Sequence, residues 1–239
     1  MSESAEIDVK NPKYLFMELL RILTSFYSFR ELEKKIGVPM QTLWKYRTLR
    51  SMPERETAIK ILTKIRESGI LDEIRRVISD MASKDPYIVF NHIGVLEYIS
   101  YDIGEIAREY RVNALIPLPD SFSIALAVLT ASKTRIKLCL TDLRRSSPSS
   151  VCTAIVSREG EVIPLCIPSH CIEQKPRIML IEAFYAKNSI AQVNRFLHRR
   201  SMKTDYVYVV YGNEEEIKQE INTLKDIAVS YKVLINTRY

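Results

Sequence analysis

The stretch IMLIEAFYAKNSI, residues 178–190, ends an apolar run on one acid, Glu182, and follows it with a short loop. The apolar run reads as a buried strand, and the residues after the loop read as a helix. At such a junction the backbone N–H groups of the helix start can gather a phosphate or another anion. Lys187 would bring a positive charge to that place. Asn188 tolerates a left-handed backbone better than most residues, though less well than glycine. Ala183 and Ala186 offer no polar side chain, and the loop contains no glycine. The chemistry to expect is anion binding through backbone amides, with Glu182 and Ser189 beside them.

A second group of residues points to a different chemistry. FRELEKKIGVPMQTLWKY places apolar side chains at Leu32, Ile36, Val38, Leu43 and Tyr46, with Gly37 in the turn. That spacing locks two short helices at a steep angle. It leaves Met40, Gln41, Thr42, Trp44, Lys45 and Arg47 outward or on the flanks, with Arg50 close behind. Glutamine can pair with adenine and lysine with guanine or phosphate in a major groove. Arg55, Lys60 and Lys64 follow and suit backbone phosphates. Residues 39–66 hold seven basic residues against two acidic ones, a local excess for a chain of net charge +6. Double-stranded DNA is the expected partner of this surface. The alternative is a helical bundle for protein contacts, with Trp44 packed in its core.

The elements that must position these groups change character along the chain. Residues 13–83 repeat with helical period, and residues 113–236 alternate apolar strands with amphipathic helices. SKDPYIVFNHIG lies between them, punctuated by Pro86 and Gly94. The expected domains are therefore 1–84, helical, and 85–239, α/β. Ser28 and Glu31 form a capping-box signature, and Gly37 marks the end of that helix. In the second part, the strands RIKLCLTD, RIMLIEAF, YVYVVYG and KVLIN alternate with helices at 122–132, 188–199 and 213–228. A hairpin over 151–167 turns at Glu159–Gly160. This pattern predicts an α/β fold with a mostly parallel sheet covered on both faces. Ligands of such sheets bind at the strands' carboxyl ends. Here those are residues 118–123, with Asp120 and Ser121, then 141–145, 182–189 and 211–215.

Composition narrows the function classes. The 239 residues are 46% hydrophobic, enough for a sizeable core. No apolar run approaches the roughly 20 residues that span a bilayer. MSESAEIDVK has no apolar core of a secretory signal, so the expected location is the cytoplasm. Cys139, Cys152, Cys166 and Cys171 form no C-x-x-C pair, and three of them read as small hydrophobes in strand-like runs. CIPSHC matches no zinc spacing, so neither a metal nor a cofactor is expected.

In order and loop placement, residues 90–239 resemble the type I phosphoribosyltransferases. In that family a strand ends in two acids and opens into a loop rich in Thr and Gly. The loop amides cradle the 5-phosphate of phosphoribosyl pyrophosphate (PRPP), and the acids hold the ribose hydroxyls. The resemblance places Glu182 first and Ala183 second in the acid pair. Ala186 and Lys187 stand for the Thr pair, Asn188 for the Gly, and Ser189 and Ile190 for the last positions. The pyrophosphate loop falls at Pro119, Asp120 and Ser121, and the mobile catalytic loop would include TDLRRSSPSS. The implied effector is PRPP or a nucleotide at Asp120, Ser121, Glu182, Ala186, Lys187, Asn188 and Ser189. With an acid and the loop glycines replaced, the chain is expected not to be an enzyme.

The helical part resembles helix-turn-helix domains of the Cro/C1 repressor type, in which Tyr46 and Pro53 fit and Leu49 stands where a Gly is usual. The combination is similar to archaeal transcription regulators with a phosphoribosyltransferase-like C-terminal domain. The resemblance implies a homodimeric, sequence-specific transcription regulator, with the second domain as dimer contact and sensor. Alternatives are a nucleotide-salvage phosphoribosyltransferase with a helical appendage, or an architectural or adaptor DNA-binding protein.

Overall fold

The computed structural model describes residues 11–141, 150–156, 160–171, 176–224 and 229–237. It divides into two compact units. One holds the described residues up to Asp85 with His92–Val95; the other holds Pro86–Asn91 and the described residues from Leu96 onward.

The first unit is helical: α1 (Pro12–Leu23), α2 (Phe29–Ile36), α3 (Met40–Arg47), α4 (Arg55–Glu67) and α5 (Ile70–Lys84). Leu15, Leu19, Ile22, Leu32, Ile36, Leu43, Ala58, Leu62, Ile65, Ile74 and Ile78 recur at helical spacing and are all buried. The capping box forms: the Glu31 N–H donates to Ser28 Oγ at 3.3 Å, and the Ser28 N–H donates to Glu31 Oε2 at 2.7 Å. Gly37 ends α2 with φ +62, a left-handed conformation that glycine adopts without a Cβ penalty. Val38 is buried in the turn, and Pro39 precedes the first residue of α3.

Leu49 takes φ +59 with 71% of its surface exposed. A left-handed backbone costs an L-residue roughly 1–2 kcal/mol, and this side chain regains little of it by packing. Leu49→Gly is expected to stabilise the helical unit by about 1 kcal/mol, less what glycine loses in chain entropy. A urea titration followed by Trp44 fluorescence reads the gain. An unmoved midpoint would show that the leucine contributes packing equal to its backbone strain.

The second unit adds α6 (Pro86–Asn91), α7 (Ile93–Glu109, mostly in this unit), β1 (Ala114–Pro117), α8 (Ser121–Thr134), β2 (Lys137–Leu138), β3 (Ser150–Val156), β4 (Val162–Pro168), β5 (Arg177–Phe184), α9 (Ser189–His198), β6 (Lys203–Gly212), α10 (Glu214–Asn222) and β7 (Ser230–Asn236). Five strands form a sheet in the order β2-β1-β5-β6-β7, every neighbouring pair parallel. Strands β3 and β4 form a separate antiparallel hairpin. The α/β expectation holds, with the parallel sheet as its centre. Along β1, β5 and β6 the alternate residues Ile116, Leu180, Val207 and Val209 join one core with Ile190, Val193 and Leu197 of α9 and Ile217 and Ile221 of α10. On β6, Tyr208 donates its hydroxyl to Asp102 of α7 at 2.6 Å, so the sheet's other face is covered too.

Three local expectations change. Residues 86–91 form a short helix, because a proline fits a helix's first turn as readily as it breaks one. The strand expected at RIKLCLTD shrinks to Lys137–Leu138, which among the described residues pairs with β1 alone at the sheet edge. The four cysteines are not free: Cys139 bonds Cys171 and Cys152 bonds Cys166. Cys152 and Cys166 face each other across the β3–β4 ladder, a juxtaposition that only strand register creates. Cys166 and Cys171 therefore offer no thiolate to a metal. Paired disulfides are unusual in a reducing cytosol outside hyperthermophiles. No described helix is long and apolar enough to cross a membrane.

Candidate functional site

The strand order reverses between β1 and β5. From β1 the chain moves outward to β2, and from β5 it moves the other way to β6 and β7. The carboxyl ends flanking such a switch point form the crevice in which open parallel sheets bind ligands. Here those ends are the loop after β1, with Asp120 and Ser121, and the loop after β5, from Tyr185 to Asn188. The end of β5 is tied to the loop after β1 and to the start of α8: the Leu118 N–H donates to the Ile181 carbonyl at 2.8 Å, and the Ala183 N–H donates to Ser123 Oγ at 2.7 Å.

Asp120 is the N-cap of α8. Its Oδ1 accepts from the N–H groups of Phe122 at 3.0 Å and Ser123 at 2.9 Å, and its Oδ2 accepts the Ser123 hydroxyl. Burial pushes its carboxyl above the usual range, although those hydrogen bonds pull the other way. It caps a helix rather than reaching outward to a ligand. Ser121 is exposed at the first position of α8.

Glu182, at the end of β5, is 1% exposed and turns into its own loop. Its Oε1 accepts the Ala186 N–H at 2.9 Å and the Ser189 hydroxyl at 2.8 Å. Its Oε2 is buried with no hydrogen-bond partner among the described residues. Burial pushes the Glu182 carboxyl up to about 8, against the pull of those two hydrogen bonds. Glu220 and Asp120 nearby push it further in the same direction. Near neutral pH this group therefore carries a proton much of the time. Its place in the structure is that of a brace beneath the loop.

The backbone keeps the shape expected of an anion loop although its glycine is absent. Asn188 adopts φ +66 and ψ 4 immediately before α9, as its tolerance of the left-handed region predicts. Lys187 and Asn188 are exposed, whereas Ala186 and Ser189 are buried. Glu220 of α10 is a member of this site that the sequence did not mark. Its carboxylate accepts the Asn188 N–H at 2.9 Å, the Ala191 N–H at 2.6 Å and the Tyr185 hydroxyl. Burial and the bond to Glu220 raise the Tyr185 phenol far above its ordinary value. Of the expected mobile catalytic loop, 141–150, residues 142–149 lie outside the described residues; Thr141 is buried and donates its hydroxyl to the Pro117 carbonyl at 2.8 Å, and Ser150 begins β3.

In the helical unit, α3 buries Leu43 and sets Met40, Gln41, Trp44, Lys45 and Arg47 on its exposed side, with Thr42 half-buried. Trp44 is 39% exposed, so it is not the core residue of the protein-contact alternative. The Arg50 guanidinium lies 4.4 Å from the Trp44 ring centre, a cation–π pair at the surface. Arg47 Nε donates to Thr24 Oγ1 at 3.1 Å, which anchors that side chain to the end of α1. Tyr46 packs edge-on against Phe16 at 5.6 Å.

No family model and no curated protein matches the chain. Solved structures do. The adenine phosphoribosyltransferase of Giardia lamblia, complexed with 9-deazaadenine, superposes with a TM-score of 0.54 at 9% identity, over 65% of this chain and 86% of that one. The Trypanosoma brucei enzyme, in complex with AMP, pyrophosphate and ribose-5-phosphate, gives 0.52 at 10% identity, over 63% and 70%. That of Thermoanaerobacter pseudethanolicus gives 0.50 at 10%, over 62% and 84%. The C-terminal fold is phosphoribosyltransferase-like. At these identities the likeness concerns the fold.

It also corrects one expectation. The chain was expected not to be an enzyme because Ala183, Ala186 and Asn188 replace polar and glycine residues of the loop. The structures it is similar to are enzymes, and that expectation is withdrawn. The physical reason lies in the backbone: an anion loop works through main-chain N–H groups and a left-handed turn. Asn188 supplies that turn without a glycine.

Proposed function

We propose that this chain is a homodimeric, sequence-specific DNA-binding transcription regulator, and that its phosphoribosyltransferase-like unit reads PRPP or a nucleotide. The observation that carries the reading is α3. A short helix follows a glycine turn, buries one apolar anchor, Leu43, and turns Gln41, Trp44, Lys45 and Arg47 outward beside Arg50. Those side chains can pair with base edges and phosphates in a major groove. In a dimer, two such helices would enter successive grooves of a palindromic site. An effector acts only if it binds the DNA-competent and incompetent states with different affinity. The switch-point crevice between β1 and β5 is the place for it.

The test is binding to fluorescent duplexes that span the chain's own upstream region, with and without PRPP, at two salt concentrations. Tight binding to one duplex, altered by PRPP, is the expected result. Uniform, salt-sensitive coverage of all duplexes would sink sequence-specific regulation and favour an architectural role.

A second reading is phosphoribosyl transfer to a purine base, favoured by the fold shared with adenine phosphoribosyltransferases. Pyrophosphate release from PRPP in the presence of adenine decides it.

A further inference from the structure

Among the described residues, several helices begin with N–H groups satisfied by a side chain close by in sequence, as Ser68 does for Ile70 of α5 and His92 for Val95 of α7. In α2, α8 and α10 the cap is local: Ser28, Asp120 and Asn213. Helix α9 is different. Asn188 gives it no side-chain cap, and the anion at its start comes from another helix. Glu220 is 6% exposed, and its two oxygens gather the N–H groups of Asn188 and Ala191 with the Tyr185 hydroxyl. Those partners lie 32, 29 and 35 residues away in sequence. Two backbone amides and a phenol converging on one carboxylate is an anion-binding arrangement with the anion built in. Glu182, close enough to feel the charge of Glu220, keeps its buried Oε2 unpartnered among the described residues, which leaves the loop with unused polar capacity.

We infer that Glu220 is the specificity-determining residue of this loop: its carboxylate holds the place of an anion, and a ligand's phosphate reaches the Asn188 and Ala191 amides only by displacing it. Each of those amides has one proton to donate, so carboxylate and phosphate cannot share them. Like charges at that spacing also repel. The apparent affinity of a phosphorylated ligand is then reduced by the fraction of molecules in which Glu220 has withdrawn. Because the occupant sits on α10, a shift of α10 against α9 empties the loop without unwinding α9. The inference deepens the reading of this unit as a site for a phosphoribosyl ligand and rests on it.

The experiment compares the full chain with E220A and E220Q. Inorganic phosphate and ribose 5-phosphate are the probes, with potassium chloride at matched ionic strength as the control. Removing the carboxylate leaves three donors facing a vacated volume. In E220A both probes are expected to raise the melting temperature saturably, and calorimetry to show roughly 10-fold or greater tightening over the unsubstituted protein. E220Q keeps the size and removes the charge, so it is expected to fall between the two. If E220A does not fold, E220Q against the unsubstituted protein decides alone. Equal affinity in the unsubstituted protein and the variants would overturn the inference, as would no phosphate response in any of them. Duplex binding of the same proteins is recorded separately. Its absence in the unsubstituted chain would sink the regulator and leave the phosphate comparison standing.

Discussion

Glu182→Gln is expected to make the protein progressively more stable than the unsubstituted chain as pH rises from about 4.5 to about 8, with a plateau above. The sign follows from proton binding. Unfolded, this carboxyl titrates near its ordinary 4.5; folded, burial raises it to about 8. Between those values the folded state holds a proton that the unfolded state has released, so stability falls as pH climbs through the window. The contribution is fully present below 4.5 and lost by the time the folded group ionises. Glutamine cannot ionise, and its carbonyl can still accept the Ala186 N–H and the Ser189 hydroxyl. A tenfold difference in proton affinity between the folded and unfolded states is worth about 1.4 kcal/mol, so the two proteins should diverge by on the order of 3–5 kcal/mol between pH 5 and pH 9. Urea titrations at pH 5, 7 and 9 measure the divergence. A pH-independent difference would mean that Glu182 is ionised beneath the loop at neutral pH, with its two hydrogen bonds outweighing burial. The outcome also bears on the ligand. A neutral Glu182 spares an incoming phosphate one repulsion and leaves Glu220 as the group it must displace.

That division of labour between two glutamates explains what the sequence could and could not reveal. Strand β5 was legible to the residue, because a strand buried on both faces reads as an unbroken apolar run. The left-handed backbone at Asn188 was legible as well, since few residue types tolerate it. So were the capping box at Ser28 and Glu31 and the turn at Gly37, whose signals lie within a few residues of one another. Glu220 was not. On α10 it reads as one acid among several on an amphipathic helix, and its three partners are all distant in sequence. The direction of Glu182 was hidden for a related reason. Residue type puts a carboxyl at the strand end but does not say whether it faces a ligand or its own loop. Asp120 follows the same logic: its cap geometry depends on where α8 begins. The disulfides required the β3–β4 register and the position of β2, neither of which cysteine spacing encodes. Local rules carried the elements, and tertiary placement decided the chemistry at their ends.

The same distinction governs the helical unit, where side-chain roles on α3 can be separated by substitution. Lys45→Ala is expected to weaken binding to every duplex alike and to reduce the slope of log K against log salt by about 0.9, the release of one phosphate's counterions. Gln41→Ala is expected to act on the preferred duplex alone, costing about 1–3 kcal/mol there, or roughly 5- to 150-fold, and nothing on others. Lys218→Ala, at an exposed lysine on α10, makes the same charge change outside α3 and serves as the control. Anisotropy titrations of preferred and scrambled duplexes at several salt concentrations read all three. Arg47 is a less direct probe, because its guanidinium already bonds Thr24 at the end of α1, and its loss would disturb packing as well as charge. Arg50 is likewise committed to the Trp44 ring. Were Lys45 to change the salt slope while Gln41 changed nothing on any sequence, α3 would hold the backbone without reading bases, and the protein would be architectural. Were Lys45 to behave like Lys218, the basic excess over residues 39–66 would be only a solvated surface, and the case for DNA would fall with it.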